Sequence, residues 1–312
     1  MTFLPPSQLK TAVLFIVFNR LETAKLVFEQ IRQARPPRLY IASDGPRSTH
    51  PEEQKWVEEV RKIAGFVDWP CDVQVLFHTN NLGCGPAVKT AVDWFFQTEQ
   101  EGIILEDDTV PVQSFFWFCE QLLEKYQDDE RIGMIAGSNH LSYSNDHPSY
   151  YFSKNKACWG WATWRRSWKS MDFAMGWRSG PQSESVMKNM GVTKHHANHW
   201  NNAIQAIDSQ TVSAWDWQWY LSLASQNQLT IFPETSLISN IGFGANATHT
   251  LGSAKPEYTA TTDIEFPLRA PGLVCPDYQF DKRFENQKFR SGPLLTRDLP
   301  LRAWRLLVRT LK

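Results

Sequence analysis

Apolar and polar positions alternate in blocks along the first 137 residues, and the blocks are of two lengths. Short, mostly apolar runs at 13–18, 39–43, 73–78, 103–106 and 132–136 have the size and β-branched content of buried strands. Between them, segments at 22–34, 52–64, 86–98 and 114–126 predict helices. In the third of these, Ala87, Ala91 and Phe95 recur at i, i+4 and i+8 and mark one apolar face. Strand and helix in alternation predict an α/β sheet with covered faces. After Gly137 the rhythm changes to a loop-rich, tryptophan-dense stretch that reaches about Trp219. There Trp215, Trp219 and Leu223 share one face of a helix predicted to begin near Ala214. A Pro- and Gly-punctuated tail follows, and no internal repeat or low-complexity segment interrupts the chain.

Composition narrows the class. The chain has 312 residues, 42% hydrophobic and 21% charged, enough to bury the core of one large domain or two modest ones. A net charge of -1 gives no global argument for nucleic acid, and none is expected as a partner. Five scattered cysteines without CxxC spacing suggest neither a disulfide framework nor a zinc ribbon, so a reducing cytoplasm is expected. The apolar run Ala12 to Phe18 falls far short of the roughly 20 residues that span a bilayer and reads as the first strand. With no secretory signal read at the N-terminus, the sequon Asn246-Ala247-Thr248 is taken as chance.

The candidate chemistry gathers at the ends of the predicted strands, where open α/β sheets bind ligands. The first strand ends in Phe18-Asn19-Arg20, and the second in Ser43 to Arg47, where Asp44 is placed to accept hydrogen bonds from a ribose or base. After the third comes Asn80 to Lys89, in which Gly83 and Gly85 either let backbone approach an anionic ligand or simply form a turn. The fourth ends in Glu106-Asp107-Asp108. Three adjacent carboxylates repel one another unless a cation or donors compensate; the alternative is an exposed acidic turn with Asp108 or Thr109 capping the next helix.

These stretches, in this order and spacing, resemble nucleotide-sugar glycosyltransferases of the GT-A fold. The likeness is greatest to the bacterial branch related to N-acetylglucosaminyltransferase I, in which Glu-Asp-Asp replaces the commoner Asp-x-Asp. It continues through Cys158 to Asp172, Trp215 to Trp219 and Asn240 to Thr250, about four fifths of the chain. The resemblance implies a Rossmann-like, mixed and mostly parallel sheet flanked by helices, with a loop-rich acceptor region. It divides the chain into a nucleotide-sugar-binding half (1–137), an acceptor-binding and catalytic half (138–250) and a C-terminal extension (251–312). It implies Asp108 as the ligand of Mn²⁺ or Mg²⁺ against the donor diphosphate, with Glu106 and Asp107 contacting ribose, base or metal waters. Asn19, Arg20, Asp44, Gly83, Gly85, Lys89 and Trp161 complete the expected donor site, and UDP is the expected nucleotide. The implied reaction is metal-dependent, inverting transfer of a sugar to a glycan, lipid-linked or other hydroxyl acceptor.

Displacement at an anomeric carbon also needs a base for the acceptor hydroxyl. Asp216, in the first turn of the predicted helix, is the candidate, against the alternative of a helix-start residue. The tryptophans at 159, 161, 164 and 168 either offer flat faces to sugar C–H groups or fill the core, and a mixture is expected. His249, after Gly242 and Gly244, is either a metal or phosphate contact on a closing loop or an ordinary loop histidine. The run around His195, His196 and His199 has i, i+4 spacing but lacks the acidic base of HExxH. Two other classes stay open: a sugar-phosphate nucleotidyltransferase, whose glycine-rich first loop is not matched by FNRLET, and a noncatalytic carbohydrate-binding protein. In the tail, Leu301, Trp304, Val308 and Leu311 lie along one helical face beside Arg302, Arg305, Arg309 and Lys312. That helix (299–312) either caps the protein's own surface or gives peripheral contact with the inner face of the membrane.

Overall fold

The computed structural model describes residues 3–141, 148–212, 215–243 and 260–289. The first half runs β1 (Val13–Val17), α1 (Leu21–Ala34), β2 (Arg38–Ser43), α2 (Glu53–Arg61), β3 (Asp72–Phe77), α3 (Cys84–Thr98), β4 (Glu101–Glu106), β5 (Thr109–Pro111), α4 (Ser114–Lys125) and β6 (Ile132–Ala136). The second half runs β7 (Tyr150–Ser153), β8 (Trp161–Trp164), α5 (Arg165–Trp168), α6 (Ser183–Lys188), α7 (Lys194–Asp208), α8 (Asp216–Ser225), β9 (Leu229–Pro233), β10 (Ile238–Asn240) and α9 (Tyr278–Phe289). Every strand and helix expected before Gly137 is present within a few residues of its predicted ends.

Eight of these strands form one sheet in the order β3-β2-β1-β4-β8-β6-β9-β7. β1 lies parallel to β2 and β4, β2 to β3, and β6 to β9, while β8 is antiparallel to β4 and β6, and β7 to β9. The expected mixed, mostly parallel sheet flanked by helices is therefore what the chain builds. Side-chain alternation sends Ile103 and Leu105 to one face, with α1 and α4, and Ile104 to the other, with α3 and α8. All three are fully buried, each worth about 1.5–3 kcal/mol, so β4 is firmly anchored just before its acidic end.

The loop-rich reading from Gly137 to about Trp219 misses β7 and β8, and the Pro- and Gly-punctuated reading of the tail misses β9 and β10. β8 consists of Trp161, Ala162, Thr163 and Trp164, all buried, and a strand covered on both faces shows no polar alternation. Residues 260–289 pack against both halves: Asp263 accepts the backbone N–H of Ser114, and Phe280 of α9 stacks on Tyr151. The buried carboxylates of Asp281 and Glu285 accept Asn155 Nδ2, and Glu285 also accepts the N–H groups of Val192 and Thr193. Among the described residues, no helix is long and apolar enough to cross a membrane. The helix expected at 299–312 lies outside them.

Candidate active site

The parallel register aligns strand ends. Val17 of β1 stands beside Ser43 of β2, Ser43 beside Phe77 of β3, and Ile16 beside Glu106 of β4. The segments carrying Asn19-Arg20, Asp44, Asn80 to Gly83 and Glu106 to Asp108 therefore emerge along one edge.

At the centre of that edge, one guanidinium serves two carboxylates. Arg20 pairs with Asp107 and, at 2.9 Å, with Asp108 Oδ2, and the N–H of Phe18 donates to Asp107 Oδ2 at 3.4 Å. Burial weakens the Arg20 charge, but Asp107 and Asp108 outweigh it and hold the guanidinium protonated. Glu106 has less support: burial, then Asp108, Asp107 and Asp216, push its carboxyl well above the usual range. Burial also moves Asp107 upward, against the pull of Arg20. Glu106 and Asp107 thus both move upward, burial being the largest cause and the neighbouring carboxylates adding to it.

The turn holding these groups is built locally. Thr109 Oγ1 accepts the N–H of Glu106 at 2.9 Å and donates to its carbonyl at 3.0 Å, closing a tight loop over Asp107 and Asp108. β5 then pairs with β10, and the N–H of Ile241 donates to the Asp108 carbonyl at 2.9 Å. A Cβ at Gly242 would collide with the Asp108 carboxylate, so a larger residue there would have to displace that side chain.

Asp216 opens α8, where the helix dipole favours a carboxylate. The helix is anchored by Trp215, Trp219 and Leu223, all buried, as the i, i+4, i+8 spacing predicts. Asp216 lies near enough to Glu106 to raise it. The thiol of Cys84, at the start of α3, is pushed up by burial, then by Glu106, Asp216, Asp108 and Asp44, which places it among these four carboxylates. Arg20, Glu106, Asp107, Asp108 and Asp216 thus form one cluster.

The other expected donor-site residues are placed as follows. Both Asp44 oxygens are occupied by the loop before α3: Oδ1 accepts Gly45 N–H and Leu82 N–H at 2.8 Å, and Oδ2 accepts Asn81 Nδ2 at 2.9 Å and Gly83 N–H at 3.0 Å. Asp44 therefore shapes the entry to α3. Gly83 takes φ of 83° immediately before that helix, and Gly85 is buried in its first turn. Lys89 is paired with Asp93 one turn along α3 at 2.6 Å. Asn19 donates to Glu53 at 2.8 Å. Trp161 is 1% exposed and lies among Trp168, Trp215 and Trp219 with ring centroids 5.6–6.0 Å away, a core position. Trp164 and Trp168 are also buried, whereas Trp159 is half-buried, so the tryptophans do divide. His249 lies outside the described residues. Among the described residues, no group of three or more His, Cys, Asp or Glu closes around a metal position, and His199 instead stacks on Phe289 at 4.1 Å.

Two residues that sequence reasoning missed support this edge from α2. Arg61 donates to Ser43 Oγ at 3.1 Å and to the carbonyls of Asp44 (3.1 Å) and His78 (2.6 Å), fastening the ends of β2 and β3. Glu53, fully buried, accepts Asn19 Nδ2, the N–H of Arg47 at 2.7 Å and the Arg47 guanidinium at 2.5 Å. Burial raises the Glu53 pKa, but the Arg47 and Asn19 hydrogen bonds outweigh it and the net direction is down. A carboxylate depressed on folding contributes stability above its unfolded pKa, about 4.3, and loses it as pH falls through the folded value. Glu53→Gln is therefore expected to cost about 1–3 kcal/mol at neutral pH. The difference from wild type should shrink in acid, which chemical denaturation at the two pH values measures.

No family model and no curated protein matches the sequence. Among solved structures, HddC from Yersinia pseudotuberculosis is similar at 11% identity and a TM-score of 0.31, over 50% of this chain and 77% of that one. A structure of S. aureus TarS 1-349 is similar at 12% identity and 0.34, over 53% and 49% of the two chains. An apo-UDP-glucose pyrophosphorylase is similar at 11% identity and 0.33, over 71% and 90%. None of these likenesses carries the functional reading that follows.

Proposed function

We propose that the protein is a nucleotide-sugar glycosyltransferase whose donor diphosphate is held at the Arg20, Glu106, Asp107 and Asp108 cluster, with Asp216 as the base. The observation that supports this reading is the convergence of Asp216, from the second half of the chain, on the carboxylates at the end of β4. A purely structural acidic turn has no need of a fourth carboxylate brought from α8.

The donor set suits Mn²⁺ or Mg²⁺. These hard cations take oxygen ligands, keep several waters and use only one or two carboxylates when phosphates supply the rest. Asp108 is the proposed ligand, with Glu106 and Asp107 holding ribose or metal-bound water. A cation bound there would stabilise charge on the departing diphosphate. Burial and then the neighbouring carboxylates push Glu106 upward, which fits a site completed by a positively charged partner.

In the transfer itself, the acceptor hydroxyl gives its proton to a carboxylate oxygen of Asp216 as its oxygen bonds to the anomeric carbon. The bond from that carbon to the diphosphate oxygen breaks, and its electron pair leaves with the nucleotide diphosphate. Attack from the Asp216 side, opposite the leaving group, inverts the centre. UDP as nucleotide and a glycan or lipid-linked alcohol as acceptor remain part of this proposal through sequence resemblance.

A turnover screen of nucleotide sugars with Mn²⁺, scored for nucleotide release, tests it. Release of nucleoside diphosphate from at least one sugar donor is expected. Pyrophosphate-dependent formation of nucleoside triphosphate from the same donors would instead identify a nucleotidyltransferase.

A further inference from the structure

β4 and β8 run antiparallel, with Glu101 beside Trp164, Gly102 beside Thr163, Ile103 beside Ala162 and Ile104 beside Trp161. Continued by one residue, this register sets Gly160 beside Leu105, and Trp159 precedes it outside the strand. That step is visible in the packing: a Cβ at Gly160 would lie 3.3 Å from Leu105 Cδ2. Gly160 takes φ of 56° and its carbonyl accepts the N–H of Gly137 at 2.7 Å, so the strand begins only after it. Trp159 therefore lies just before β8 begins, at the end of that strand nearest the C-terminal end of β4.

Two more rings reach the same corner. His140 lies edge-on to Trp159 with ring centroids 5.2 Å apart, and Phe243 lies perpendicular to it at 6.1 Å. Phe243 directly follows Gly242, the residue packed against the Asp108 carboxylate. On the other side, Cys158 is close enough to Asp216 and Glu106 that, after burial, these carboxylates raise its thiol pKa. Trp159 thus follows Cys158, which feels the carboxylates of the cluster, and packs against Phe243, which follows Gly242. It remains half-buried, whereas Trp161, Trp164 and Trp168 are 1–4% exposed.

We propose that Trp159, braced by His140 and Phe243, is the surface on which the apolar face of a pyranose ring rests beside Glu106 and Asp108. This rests on the nucleotide-sugar reading and moves the sugar contact from Trp161 to Trp159. A sugar presents a face of C–H groups whose weak positive charge suits the negative face of an indole, while its hydroxyls turn toward carboxylates. An apolar ring at the edge of a polar, charged site offers that pairing. Either the donor sugar or the terminal sugar of an acceptor has this chemistry.

Saturation-transfer NMR on the full chain, with UDP, UDP-glucose and a methyl glucoside as probes in the presence of diamagnetic Mg²⁺, tests the assignment. Trp159→Ala should bind UDP as wild type does but lose saturation of the sugar C–H protons, with Trp159→Phe intermediate. Loss confined to UDP-glucose identifies the donor sugar; loss confined to the methyl glucoside, offered together with UDP, identifies the acceptor. Equal sugar saturation in wild type and Trp159→Phe, or in wild type and a folded Trp159→Ala, overturns the subsite while leaving the nucleotide-sugar reading in place. A wild-type protein that binds neither UDP nor UDP-glucose overturns both.

Discussion

Replacing Asp216 with Asn is expected to leave donor binding near normal and to lower sugar transfer by roughly 10²–10⁴-fold, the usual contribution of general-base catalysis. The amide keeps the size and hydrogen-bonding reach of the carboxylate but cannot take the acceptor proton. The substitution should be well tolerated by the fold, because α8 is held by the buried side chains of Trp215, Trp219 and Leu223. Steady-state kinetics at saturating acceptor, beside calorimetric donor titration, separates the two. Near-normal transfer by Asp216→Asn would eliminate the base assignment.

A second large effect is expected at Asp108. Asp108→Asn withdraws an anionic oxygen from the proposed cation site and one of the two partners of Arg20. The tight turn remains closed by Thr109 and by the Ile241 N–H on the Asp108 carbonyl, so the backbone should hold. Metal-dependent donor affinity should fall and turnover with it, while thermal stability without ligand changes little. A variant that binds nucleotide sugar with an unchanged Mn²⁺ dependence would show that Asp108 is not the ligand.

The parallel half of the sheet was legible because each strand is a short apolar run and each helix carries a clear periodic face, as in α3. The second half was not. β8 is built from tryptophans that are buried on both faces, and such a strand gives no alternation to read. The acidic cluster was visible at its β4 end, since three adjacent carboxylates after an apolar run are a conspicuous arrangement. Its electrostatics were less so: no pattern announces that Arg20, almost ninety residues earlier, would pair with Asp107 and Asp108. Asp44 shows the same limit, because its position after a strand suggests a ligand, whereas the fold gives both of its oxygens to the backbone and side chain of the next loop. Glu53 and Arg61 sit in an unremarkable amphipathic helix, and only the three-dimensional contacts reveal that they fasten the edge where the site lies.

In the proposed function, the carboxylates at the end of β4 and Asp216 form a cation-dependent nucleotide-sugar site. Isothermal titration of the wild-type protein with UDP-sugars and GDP-sugars, with Mn²⁺ and again with EDTA, addresses it most directly. The expected result is saturable binding of at least one donor with Mn²⁺, strongly weakened by EDTA and by Asp108→Asn. Absence of binding by every donor, or binding equally strong in EDTA, would contradict it.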